Sequence, residues 1–271
     1  MPADRDPRAW WLDDDPFDKK DYTERRNNKT TKTSSNSFEQ NPFQDILNDY
    51  FGGRQRHTIP IHRGSIWHFS KIEIKHLTQA TLAFTLALAF MNSRGIFGAL
   101  NSPIVFVFGG LLYFISLTPA FLLHEIAHKI VARRYGCWAE FRANPSGLRF
   151  GVILAAVLGI VFMAPGAVMV AGRTTKTQFG RIALAGPVTN VFLWSVGIIG
   201  IFLLGGLNGV LDQMLRTWVW GNSILAAFNM LPFGPLDGKK IKTWSETVFY
   251  VWLSITLAAV WITYEYSNLI I

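Results

Sequence analysis

Residues 103–134 read PIVFVFGGLLYFISLTPAFLLHEIAHKIVARR, and this run constrains the chain more than any other. From Pro103 to Leu123 it carries no charge, enough helix to cross about 30 Å of hydrocarbon. Then come His124, Glu125 and His128, where an apolar span should hold nothing ionisable. A carboxylate at the centre of a membrane helix costs about 2.5–3.5 kcal/mol on insertion scales, so a solvated face does not explain it. Histidines four apart project from one helix face, the spacing with which two imidazoles hold one zinc ion beside an intervening glutamate. Metal binding worth on the order of 10 kcal/mol in small zinc peptides offsets the cost of burial. Histidines merely hydrogen-bonded inside a helical bundle are the plainer alternative, and the motif alone does not dispose of it.

Charge and apolar content are unevenly placed. Residues 1–65 hold most of the acids, in runs such as DRDPRAWWLDDDPFDKKD, and a stretch this polar buries too little apolar surface to order itself. They are expected to form a disordered tail, and residues 66–271 the folded domain. A secretory leader is not expected at a start so charged. From Leu77 onward there are 13 Lys and Arg against 6 Asp and Glu, so most of the net charge of +8 lies beside the apolar stretches. Such loops suit anionic lipid headgroups, and no nucleic-acid motif is present. Cys137 is the only cysteine, which excludes intrachain disulfides and multi-cysteine zinc sites. His57, His62, His68 and His76 lack ligand spacing.

Six apolar stretches follow one another: Leu77 to Met91, Pro103 to Ile130, Phe150 to Val170, Ile182 to Leu204, Met214 to Leu231, and Val248 to Tyr264. Backbone groups in lipid must be paired internally, so the expected fold class is an all-α polytopic membrane protein. If 150–170 crossed fully, the basic clusters at Arg173–Arg181 and Lys239–Lys242 would face outside, against the positive-inside rule. A segment that enters and returns near Ala164-Pro165-Gly166 puts every basic cluster in the cytosol, leaving only Arg94 and Arg216 outside. The following GAVMVAG suits a short extended piece. His128 lies five residues before Arg133, about 7.5 Å along a helix, so the histidine pair sits just inside the cytosolic boundary.

A catalytic zinc takes three protein ligands and keeps one open position. The acids after the histidines are Glu140, Asp212, Asp237, Glu246 and Glu265. Asp237 stands out because NMLPFGPLDG ends an apolar stretch with prolines and glycines that break helix and bend the chain closely. Irregular backbone at that depth is tolerated only against protein or a wet cavity. Asp237 precedes Lys239 and so shares the depth of the histidines.

HEIAH in one span, AGPVTN (185–190) opening another and NMLPFGPLDG (229–238) closing a third resemble the site-2 protease family of intramembrane metalloproteases, in its archaeal-type form. The similarity covers about Ser70 to Trp244. It implies that His124, His128 and Asp237 are zinc ligands, that Glu125 is the acid/base residue, and that Asn229 helps hold the substrate carbonyl or its oxyanion. Asn190 and Gly186 match the family's G-P-x-x-N element, where small residues also suit close helix packing. Lys239 and Lys240 depart from the pattern, since many members have another glycine after Asp-Gly.

The resemblance therefore implies a zinc-dependent endopeptidase of a multi-pass cell membrane, cutting in or near transmembrane segments of membrane proteins, with its site near the cytosolic side. A substrate must expose extended backbone there, and a strand at Cys137–Arg142 or near Val168 would pair with it. Three rivals stay open on residues alone: a catalytically inactive metal-binding membrane scaffold, a zinc transporter, and a metalloprotease whose third ligand is a glutamate.

Overall fold

The computed structural model describes residues 67–163, 165–204 and 209–268. The expected tail and its boundary near residue 65 lie outside the described residues, as do His57 and His62 and the Ala164 of the expected turn.

In chain order the elements are α1 (Lys71–Asn92), α2 (Ile96–Asn101), α3 (Pro103–Arg134), β1 (Trp138–Ala143), α4 (Pro145–Leu158), β2 (Gly166–Ala171), α5 (Lys176–Leu203), α6 (Val210–Asn229), α7 (Asp237–Trp244) and α8 (Glu246–Asn268). Local chemistry sets their ends. Ser70 caps α1 by accepting from the Glu73 amide. Asn144 does the same for α4 through Gly147, and Thr175 with Gln178 forms a reciprocal capping box on α5. Pro103 begins α3 where its missing N–H costs nothing.

Among the described residues, α1, α3, α5 and α8 are long and apolar enough to cross a membrane. Large apolar side chains such as Phe97, Ile104, Phe108, Phe192 and Leu203 point outward and are exposed, whereas His124, Glu125, His128, Asn190 and Asp237 are buried. This is the inverse of a water-soluble surface.

The expected six apolar segments are not reproduced as six spanning helices. The fifth falls on α6, which carries Asp212, Gln213, Arg216 and Asn222 and is less apolar than the four. The third divides: α4 has 14 residues and stops at Gly159, whose φ of 69° suits a residue without Cβ. The chain then returns as β2. The expected extended piece in GAVMVAG is this strand, and the expected strand after the histidine helix is β1. They pair antiparallel, from Trp138 opposite Ala171 to Ala143 opposite Gly166.

α3 packs against α1, α5 and α6, so the histidine helix is central to the bundle. Lys129 and Arg133, near the end of α3, are buried. Lys129 Nζ donates to Glu73 Oε2 on α1 and lies 3.7 Å above the Phe69 ring centroid. Glu73 Oε1 accepts the Phe141 N–H at 3.1 Å. One carboxylate thus joins α1, α3 and β1. Cys137 is a packing residue, buried with Ala132, Ala139 and Ile182; burial pushes its thiol pKa up.

Candidate metal centre

The helical spacing of His124 and His128 does what it promises. Their rings meet edge to face with centroids 4.7 Å apart, and the two Nε2 atoms are 3.1 Å from each other. Asp237, the first residue of α7, closes the group: its Oδ2 lies 3.4 Å from His124 Nε2 and 3.0 Å from His128 Nε2. All three residues are buried. Donors at zinc-ligand distance from one tetrahedral ion stand roughly 3.4 Å apart, so these spacings suit a shared cation.

The surroundings decide which atoms are offered. His128 Nδ1 donates to the Ile182 carbonyl at 2.7 Å. His124 Nδ1 lies 2.5 Å from Asn190 Oδ1. The Asn190 amide nitrogen in turn faces the Ala120 carbonyl at 3.3 Å and Asn222 Oδ1 at 3.0 Å. Both of those partners accept, so Asn190 Oδ1 is the acceptor and His124 Nδ1 carries the proton. With both Nδ1 atoms protonated, both Nε2 atoms are bare lone pairs aimed at a carboxylate oxygen. Three converging acceptors without a donor between them call for a cation, and the donor set of two imidazoles and a carboxylate fits zinc.

Gly186 on α5 provides the room. A Cβ there would fall onto His128 Nε2 and the His124 ring, so close packing is indeed its role, against the imidazoles themselves. Asp237 stays ionised. Burial alone would raise its pKa, but positive charge beside it, that of Lys240 on Oδ1, holds it below the usual carboxylate range.

Glu125 and Asn229 are not part of this triangle but line the same cavity, about 500 Å³ in volume, as His124, His128 and Asp237. Asn229 ends α6 and gives one amide hydrogen to the Leu225 carbonyl at 3.0 Å, leaving the other for a ligand. Most of the remaining wall is apolar, with Phe84, Leu88, Phe121 and Phe228 among it, and residues 166–170 of β2 form one side.

The sheet register assigns β2 as the open edge. On β1, Phe141 N–H goes to Glu73 and Ala143 N–H to His76 Nδ1 at 3.4 Å, so these groups point away from β2. Their partners Val168 and Gly166 occupy the equivalent positions on β2. Antiparallel pairs alternate, so Gly166 and Val168, both on the cavity wall, direct their own backbone groups away from β1.

Sequence reasoning missed three contributors. Asn222 supports Asn190 from α6 and carried no signal. Ile182 acts through its backbone. Lys240 was read as part of a basic cluster and as a departure from a pattern, yet its Nζ lies 2.9 Å from Asp237 Oδ1.

A helical protein of this architecture, with two helical histidines, an adjoining glutamate and a distant aspartate around one point, has the makings of a metallopeptidase. Its relatives are more specific. The chain is 38% identical over 194 residues to the "Putative zinc metalloprotease MJ0611" of Methanocaldococcus jannaschii, covering 71% of this chain and 93% of that protein. It is 32% identical over 147 residues to the "Putative zinc metalloprotease YwhC" of Bacillus subtilis, covering 47% and 65%. It is 29% identical over 129 residues to the "Zinc metalloprotease MJ0392" of Methanocaldococcus jannaschii, covering 47% and 32%. No protein-family model matches, and no solved structure matches. The chain belongs to the zinc metalloprotease family of these relatives.

Proposed function

We propose that the chain is an intramembrane zinc endopeptidase of the site-2 protease type, hydrolysing peptide bonds in or beside transmembrane segments of membrane proteins. The observation that carries this is the convergence of His124, His128 and Asp237 on the wall of a largely apolar cavity, inside a bundle whose outward faces are apolar as well.

His124, His128 and Asp237 would hold one zinc ion per chain. When bound, zinc supplies the Lewis acid that makes water nucleophilic near neutral pH. Glu125 takes the proton of the attacking water and returns it to the leaving amine. Asn229 offers its second amide hydrogen to the substrate carbonyl as charge develops there. Extended substrate backbone pairs with the open edge of β2 at Gly166 and Val168, which fixes the scissile bond beside Glu125. Placement in a multi-pass cell membrane, with the site toward the cytosol, is supported by the basic residues at that end: Arg134, Arg142, Lys239 and Lys242.

The test is cleavage in liposomes. Full-length protein is co-reconstituted with a panel of fluorescent single-span reporter proteins, and wild type is compared with Glu125→Gln. Zinc-dependent cleavage by wild type alone supports the reading. Equal cleavage by the Gln variant contradicts the mechanism, and a wild type that holds zinc yet cuts no reporter leaves a metal-binding scaffold.

A further inference from the structure

We infer that Lys240 is a positioning residue that restricts Asp237 to one-oxygen ligation, keeping a position on the metal open. The inference rests on the metal assignment above and concerns a residue for which the family pattern gave no task.

The two oxygens of Asp237 are treated differently. Oδ2 faces both imidazole Nε2 atoms, whereas Oδ1 accepts from Lys240 Nζ at 2.9 Å. Asp237 begins α7 and Lys240 lies one turn further on, so helical geometry alone keeps the ammonium beside this carboxylate. The Asp237 side chain is 7% exposed and the Lys240 side chain 30%, so the pair is shielded on the acid's side and differs from a fully solvated surface pair. Lys240 is also the one lysine or arginine on the cavity wall among the described residues.

A carboxylate can bind a cation through one oxygen or both. A catalytic zinc with three protein ligands needs its remaining position for water or substrate. Asp237 with both oxygens free would turn about its side-chain bond and add its second oxygen as a fifth ligand, crowding that position. The ammonium on Oδ1 opposes the turn, because bidentate ligation would break a charge-assisted hydrogen bond in a partly dry site. Lys239, the exposed neighbour on α7, carries the same charge but is not the residue paired with Asp237.

The test uses the full chain loaded with cobalt(II) in place of zinc, read by visible absorption and chelator competition. No substrate is needed. Four-coordinate cobalt absorbs intensely, and five-coordinate cobalt weakly. The wild type should bind one cobalt with intense bands. Lys240→Met should keep that stoichiometry and lose the intense bands; Lys240→Arg and Lys239→Met should both match wild type. A Lys240→Met protein with the wild-type spectrum overturns the inference and leaves the metal site standing. So does a Lys240→Met protein that keeps its fold by circular dichroism but binds no cobalt, since Lys240 would then govern ligation itself. A wild type that binds no cobalt removes the metal site and this inference together.

Discussion

Asn190 Oδ1 lies 2.5 Å from His124 Nδ1, across the contact between α5 and α3. That one contact fixes the tautomer of a metal-facing imidazole, and Asn222 holds Asn190 in the orientation that makes it possible. Replacing Asn190 with Ala should weaken zinc binding by roughly 10–100-fold, the usual cost of losing such a partner. Chelator competition measures it, and an unchanged affinity would remove Asn190 from the site.

Gly186 should accept no side chain. Gly186→Val places two methyl groups and a Cβ where the imidazole nitrogens stand. Zinc content should fall to near zero while helical circular dichroism persists. At Gly200, on the same helix, an added methyl group would meet only Leu215, at 3.8 Å, so Ala should be tolerated there with zinc retained.

The Glu73–Lys129 pair should govern stability more than chemistry. Both side chains are buried, so Lys129→Met strands a carboxylate and should cost about 3–5 kcal/mol in unfolding free energy. Glu73→Gln with Lys129→Met should recover much of that loss, because neither member of the pair is then left as an unpaired buried charge. Denaturant unfolding in mild detergent compares the variants; a double variant as unstable as Lys129→Met argues against an ion-pair origin.

A proline can separate strand pairing with β1 from pairing with substrate. Val168→Pro removes an N–H that the register directs away from β1, so the sheet should survive and zinc should stay bound. Reporter cleavage should fall roughly 5–30-fold if substrate pairing supplies 1–2 hydrogen bonds of roughly 1 kcal/mol each. Undiminished cleavage would remove strand addition at this edge.

How much of this was legible depends on the range of the interaction. His124 and His128 could be read from the sequence because helix periodicity alone brings them together, and Asp237 because few acids follow them. β2 was signalled by the helix breakers around Pro165 and the GAVMVAG that follows, whereas β1, WAEFRA, holds no β-branched residue. The partners across the bundle were not. α3 and α5 are apolar nearly all round, so periodicity does not say which face meets which neighbour. Asn222 behind Asn190, and Glu73 against Lys129, therefore became visible only with the packing. Nothing in the sequence around Lys129 points to its partner, because the carboxylate that lets it be buried comes from α1.

The most direct measurement is the zinc content of the purified full chain beside that of Asp237→Ala. One zinc per chain is expected in the wild type and in Glu125→Gln, and a large loss of affinity in Asp237→Ala despite intact histidines. Wild-type zinc affinity in Asp237→Ala would contradict this, because the ion would then be held without the carboxylate that joins α7 to the histidine helix.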